Sequence, residues 1–207
     1  MGRLTDTYRM NDGNLALRRE FMLFTKDDVQ VLGKLAGWAR GVSPTIAKEF
    51  YEHQFKFGPT QEFFRGQAAR MGVGMDQLRA ALERAQAGYF REIFEEAERG
   101  GSFGTSYFEK RLSVGLIHNK INLPLKWYLG SYALYMDLAR KYLAKSYPFD
   151  LRLRAKAERA LTVAFSYDQQ AIVDAFLFDM YRSVGVRLEQ IELTRPEHDL
   201  SDTYAQI

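Results

Sequence analysis

The chain has 207 residues, no cysteine, 46% hydrophobic and 27% charged residues, and 29 basic against 26 acidic side chains. That is the make-up of a globular chain with material for one cored domain, and it excludes disulfides, thiol catalysis, cysteine-ligated zinc or iron–sulfur centres and covalent c-type haem attachment. The near-balanced net charge of +3 gives nucleic acid no footing, and no apolar run suits a bilayer or a secretion signal, so no nucleic acid and no membrane partner is expected and the expected location is cytoplasmic.

No segment alternates with period two, so the chain reads as all-α. Residues 1–13 read as loose and polar, with a short amphipathic helix over 14–23. Thr25, with Asp28 three residues on, marks a helix start, and Val29, Leu32, Leu35, Ala36 and Ala39 follow at helical spacing. Gly41 is expected to end this helix, and Ser43-Pro44 to open the next, where Ile46, Ala47, Phe50, Tyr51 and Gln54 share a face. Gly58-Pro59 is a stop signal. An aromatic helix over 60–69 follows, then a loop at Gly72 and Gly74. The next helix, 76–98, carries Leu78, Ala81, Leu82, Ala85 and Tyr89 on one stripe. Ser106 and Glu109 have capping-box spacing, and the helix they open carries Val114, Ile117, His118 and Ile121. Pro124 opens a helix to 145, and a last long helix runs over 150–184. Both are apolar beyond a single stripe, which requires two partners and points to a second subunit as well as a core. Val186–Leu193 reads as a possible resumption of helix, and 194–207 as a polar tail.

Few residues invite chemistry. There are three histidines, and no metalloprotease, nucleophile-elbow, P-loop or dinucleotide motif. His53 faces away from the inward stripe of its helix, and His198 lies in the tail. His118 sits within an apolar stripe, where a neutral imidazole needs a partner. It reads either as a core histidine bonded to a neighbour or as a ligand to a metal or haem iron. Tyr51 reads either as an amphipathic core residue or as a hydrogen-bond donor inside an apolar pocket. Phe63-Phe64 reads as core or as the wall of a flat cofactor.

The run Ile117-His118-Asn119-Lys120-Ile121-Asn122-Leu123-Pro124-Leu125-Lys126-Trp127-Tyr128 resembles the proximal region of the globin-coupled sensor family. Glu49-Phe50-Tyr51 is similar to that family's B helix, Phe108-Glu109-Lys110-Arg111 to the start of its proximal helix, and 160–176 to its final helix. The resemblance spans 25–184, with three departures: Asn122 stands where glycine is usual, Pro124 comes one residue early, and Ala81 stands on the distal helix where some members carry a polar side chain.

The resemblance implies a globin fold in the sensor variant, with an extra N-terminal helix, no D helix, and long G and H helices that pair two subunits into a homodimer. The sensor globin would occupy 25–184, between an N-terminal extension, 1–24, and a linker or tail, 185–207. It implies a non-covalent haem b, with His118 as proximal iron ligand and Tyr51 as distal donor. Tyr128 would act beside His118, and Phe50, Phe64, Leu78, Ala81, Leu82, Val114, Ile117 and Ile121 would complete the pocket. Lys120 and Arg84 are the expected propionate contacts. The function implied is a haem-based sensor of O2, with CO and NO as further ligands, acting on an output domain or separate partner and not itself an enzyme. The alternatives are a haem enzyme, an O2-storage globin, and a haem-free helical interaction module with His118 in its core.

Overall fold

The computed structural model describes residues 2–186. These residues form nine helices and no strand: α1 (Leu4–Thr7), α2 (Asp12–Phe21), α3 (Lys26–Lys34), α4 (Ala36–Lys56), α5 (Gly58–Met71), α6 (Met75–Glu98), α7 (Thr105–Lys120), α8 (Leu125–Ser146) and α9 (Leu151–Ser183). α4 packs on α6 and α7 on α9, while α3 bridges α6 to α9 and α8 packs on both α4 and α9. The core between them is ring-rich: Trp38 meets Phe90 and Phe94 edge-on, with centroids 6.2 and 5.7 Å away.

The Thr25 capping box forms as the sequence predicts. Its hydroxyl accepts from the Asp28 backbone N–H, and the Asp28 carboxylate accepts from the Thr25 N–H. Gly72, with φ 64°, closes α5, and only residues 72–74 separate it from α6.

Three expectations are corrected. The break foreseen at Gly41 falls instead at Leu35, and α4 runs unbroken with Pro44 inside it. The segment read as loose before residue 14 is structured, with Tyr8 and Met10 in the core. Ser106–Glu109 is not a capping box: Gly104 is the N-cap of α7 and supplies no side-chain bond. Glu109 instead receives the backbone N–H groups of Leu4 and Thr5 at 2.6 and 2.7 Å, so it clasps α1 to α7.

That clasp predicts a pH dependence. Burial pushes the Glu109 carboxyl up, but the N–H groups of Thr5 and Leu4 outweigh it and hold the group below the usual carboxylate range. A lowered folded-state value contributes stability that is present above the unfolded value and lost as pH falls through the folded one. Glu109→Ala is expected to cost about 1–3 kcal/mol at neutral pH. Urea unfolding measures it, and the gap from the parent should close below the acid range of the free carboxyl.

α7 and α9 approach closely at Gly115. A Cβ there would stand 2.8 Å from Ala175 Cβ and 3.1 Å from Ile172 Cα. Gly115→Val is therefore expected to cost about 1–3 kcal/mol by overpacking, read as a lower urea midpoint. α7 then ends in a Schellman motif. Asn122, with φ 58°, takes the left-handed position, its N–H bonds the Asn119 carbonyl at 2.9 Å, and the Leu123 N–H bonds the His118 carbonyl at 3.0 Å. This accounts for Asn at a place where glycine is usual, because Asn tolerates that backbone region better than other side chains do.

Candidate functional site

α4, α5, α6, α7 and α8 border a cavity that opens to solvent, with about 800 Å3 of space when its open mouth is included, and Phe165 of α9 completes one wall. Its lining is mostly aromatic, which is the chemistry of a site for a large flat apolar group.

His118 borders it from the last turn of α7. Its Nδ1–H donates to the Val114 carbonyl at 2.7 Å. A carbonyl only accepts, so Nδ1 carries the proton and Nε2 is left with its lone pair. Burial lowers the imidazole's pKa, with the Val114 bond opposing, and keeps the ring neutral. A neutral imidazole, oriented by a backbone acceptor and free at Nε2, is how histidine presents itself to a metal. The Tyr128 ring stands edge-on to it, centroids 4.7 Å apart.

Tyr51 enters from α4, packed edge-on against Phe50 at 5.1 Å and Phe64 at 6.0 Å. Its hydroxyl makes no hydrogen bond among the described residues, and burial raises its pKa far above a free phenol's, so it stays protonated as a donor. Tyr135, on α8, lines the same cavity, and its buried hydroxyl makes no well-formed hydrogen bond. Burial raises its pKa too, with the Gln86 side chain, the one polar group that acts on it, pulling the other way. Buried hydroxyls are normally satisfied, so two phenols with so little hydrogen bonding in one mostly aromatic cavity are unusual. They suit a cavity that receives a polar ligand.

Of the residues expected at this site, the structure brings together Phe50, Tyr51, Phe64, Leu82, His118, Ile121 and Tyr128. Leu78, Ala81, Val114 and Ile117 do not border the cavity. Ile117 is 58% exposed. It lies a helical step of about 100° from His118, at the edge of the stripe rather than at its centre. Ala81 is exposed, Leu78 is buried elsewhere, and Val114 contributes its carbonyl alone. Lys120 and Arg84 are exposed, and neither borders the cavity. Sequence reasoning missed Gln86, Tyr89, Tyr132, Tyr135 and Phe165 as lining residues. A signal for Gln86 was present, because it lies one turn beyond Leu82 on the same stripe.

A second cavity, between α4 and α8, is bordered by His53, Phe57, Lys126 and Leu134 and shares Gln54, Thr60, Trp127 and Ser131 with the first. Gln54 Nε2 donates to Ser131 Oγ at 3.2 Å on that shared wall.

The family model described as Protoglobin matches residues 11–180. The chain belongs to the protoglobin family. The globin fold expected from the sequence follows, and the all-helical architecture agrees with it. The match also agrees with a haem-binding globin domain of the globin-coupled sensor type. Protoglobins bind haem and diatomic gases. The cavity's residues fit that group: aromatic walls, one neutral imidazole free at Nε2, and phenol hydroxyls available as donors. No curated protein matches the chain. No helix among the described residues is long and apolar enough to cross a membrane.

Proposed function

We propose that this protoglobin is a sensor domain for O2 that holds haem b on His118 and does no catalysis of its own. The observation that carries the reading is the His118 imidazole, pinned through Nδ1 with Nε2 free, in one cavity with the unpartnered Tyr51 hydroxyl. A bound haem would supply an iron able to take a diatomic gas. His118 Nε2 would hold that iron, and the Nδ1 bond to Val114 raises its basicity. Tyr51 donates a hydrogen bond to O2, a better acceptor than CO. The apolar walls exclude water and slow loss of an electron to solvent. Phe50, Phe64, Leu82 and Ile121 hold the flat group by contact.

Signalling requires that O2 favour one arrangement of the helices over another, since binding equally to both shifts nothing. α7 carries His118, and α8 and α9 are the helices whose breadth of apolar surface supports a homodimer in the cytoplasm. The change at His118 would pass to that interface, and through the segment after residue 184 to an output domain or partner. That segment lies almost wholly outside the described residues.

The test is the absorption spectrum of purified protein loaded with haemin, reduced with dithionite, then given O2 or CO. A five-coordinate ferrous spectrum that changes reversibly with each gas supports the reading. Protein that takes up no haemin returns His118 to the core. Light scattering tests the dimer, and a monomer at all working concentrations would remove the proposed route of signalling.

A further inference from the structure

Behind the cavity lies a buried polar cluster that the gas-binding reading does not use. Arg111, on α7, is 1% exposed and Asp168, on α9, is fully buried. Arg111 Nε donates to Asp168 at 3.1 Å, and Nη1 donates to Glu92 at 2.6 Å. The guanidinium lies against two phenol rings, 4.1 Å from the Tyr89 centroid and 4.2 Å from that of Tyr107. Tyr107 Oη donates to Asp168 at 2.8 Å and accepts from Arg111 Nη2 at 2.9 Å.

This cluster is joined to the cavity by tyrosines. Tyr128, beside His118, stands 5.8 Å from the Tyr132 ring. The Tyr132 and Tyr89 hydroxyls are 3.1 Å apart. Tyr89 and Tyr107 both pack a ring on the Arg111 guanidinium. Tyr128, Tyr132 and Tyr89 all border the cavity, whereas Tyr107 does not.

A replacement by well-packed apolar residues would serve stability as well as such a buried pair. The arrangement of phenols is what a structural ion pair leaves unexplained. We infer that Tyr128, Tyr132 and Tyr89 relay oxidising equivalents out of the cavity to Tyr107, which loses its electron along this chain and its proton to Asp168. The inference rests on the haem reading of the preceding section. The oxidant is hydrogen peroxide, which follows from superoxide when a ferrous gas-binding site oxidises in air.

One hydrogen peroxide is reduced in the cavity: its O–O bond breaks, two phenols supply the two electrons and solvent the two protons, and it leaves as two waters. Each phenol loses one electron and one proton and becomes a neutral phenoxyl radical. One is Tyr107, whose proton moves along its existing bond to Asp168. The other is a phenol nearer the cavity, whose proton passes to solvent.

The charges favour Tyr107 as the end point. Arg111 faces two carboxylates, Asp168 and Glu92, so the inner cluster holds one excess negative charge. Losing an electron neutralises it. Lys110 also pairs with Glu92, but from the exposed side. Full burial pushes the Asp168 carboxyl up, against the pull of Arg111, Tyr107 and Tyr89, and readies it to take a proton. Arg111 Nη2 keeps a hydrogen bond on the phenoxyl oxygen. With no cysteine in the chain, no thiol competes for the oxidising equivalent.

The experiment is electron paramagnetic resonance of the haem-loaded ferric protein, frozen shortly after mixing with hydrogen peroxide. The parent, Tyr107→Phe and Tyr89→Phe are compared, each checked for helix content and haem uptake. Both variants keep the ring that packs on Arg111. The expected result is a tyrosyl radical in the parent, loss or reshaping of its hyperfine pattern in Tyr107→Phe, and loss of the Tyr107 pattern in Tyr89→Phe. Tyr132→Phe, which leaves the ion cluster untouched, is expected to weaken the same signal. An identical radical in all variants, or none in the parent while peroxide is consumed, overturns the relay and leaves the haem reading standing. Failure to take up haemin overturns both.

Discussion

His118→Ala is expected to yield a folded, helical protein that purifies largely without haem and regains it when imidazole is supplied. The fold should survive because the imidazole's one protein hydrogen bond is to Val114, within its own helix. Its loss therefore leaves no distant partner orphaned. Haem retention should fall because no other histidine among the described residues borders the cavity. Disturbing a residue that merely orients a metal-binding histidine costs about 10–100-fold in affinity, and removing the ligand itself should cost more. Haemin titration followed by the Soret band measures the effect. A variant that binds haemin as the parent does, with no imidazole added, would show that His118 is not the ligand.

Tyr51→Phe should raise the O2 dissociation rate by about ten-fold or more while CO release changes little. The substitution keeps the ring and its edge-on contacts with Phe50, Phe55 and Phe64 and removes only the hydroxyl. That hydroxyl remains a protonated donor because burial opposes its ionisation. A hydrogen bond of about 1–2 kcal/mol, at about 1.4 kcal/mol per factor of ten, sets the size of the change. Stopped-flow displacement of O2 reads it directly. An unchanged rate would pass the role to Tyr135, whose hydroxyl in the same cavity makes no well-formed hydrogen bond.

Local signals were legible in the sequence where the chemistry is local. The Thr25 box, the loop at Gly72 and the limits of α6, α8 and α9 depend on neighbours in the chain, and the sequence reads them closely. Pro44 reads as a helix start because it lacks an N–H, yet α4, packed on α6, continues through it. Ser106 and Glu109 have the spacing of a box, yet the Glu109 carboxylate is engaged by α1, more than a hundred residues away. No local pattern reports a contact of that separation. The candidate site divides in the same way. His118 and Tyr51 stand out as polar groups on apolar stripes, but of the two residues expected one turn from His118, Ile121 borders the cavity and Val114 does not. Ile117 was placed wrongly because adjacency in sequence turns a side chain by about 100° on a helix. Tyr89, Tyr132 and Phe165 reach the cavity from three helices, and only the packing shows that their rings converge.

The Schellman turn after His118 has a mechanical consequence. Because the His118 carbonyl receives the Leu123 N–H, the histidine's backbone and the residue that opens the way to α8 form one stiff bracket. Leu123 itself borders the cavity, and Pro124 locks the next step before α8 starts at Leu125. The junction therefore behaves less like a hinge than like the elbow of a bell crank. A small displacement of the imidazole along its helix would be turned into a swing of α8, with little lost to slack in the joint.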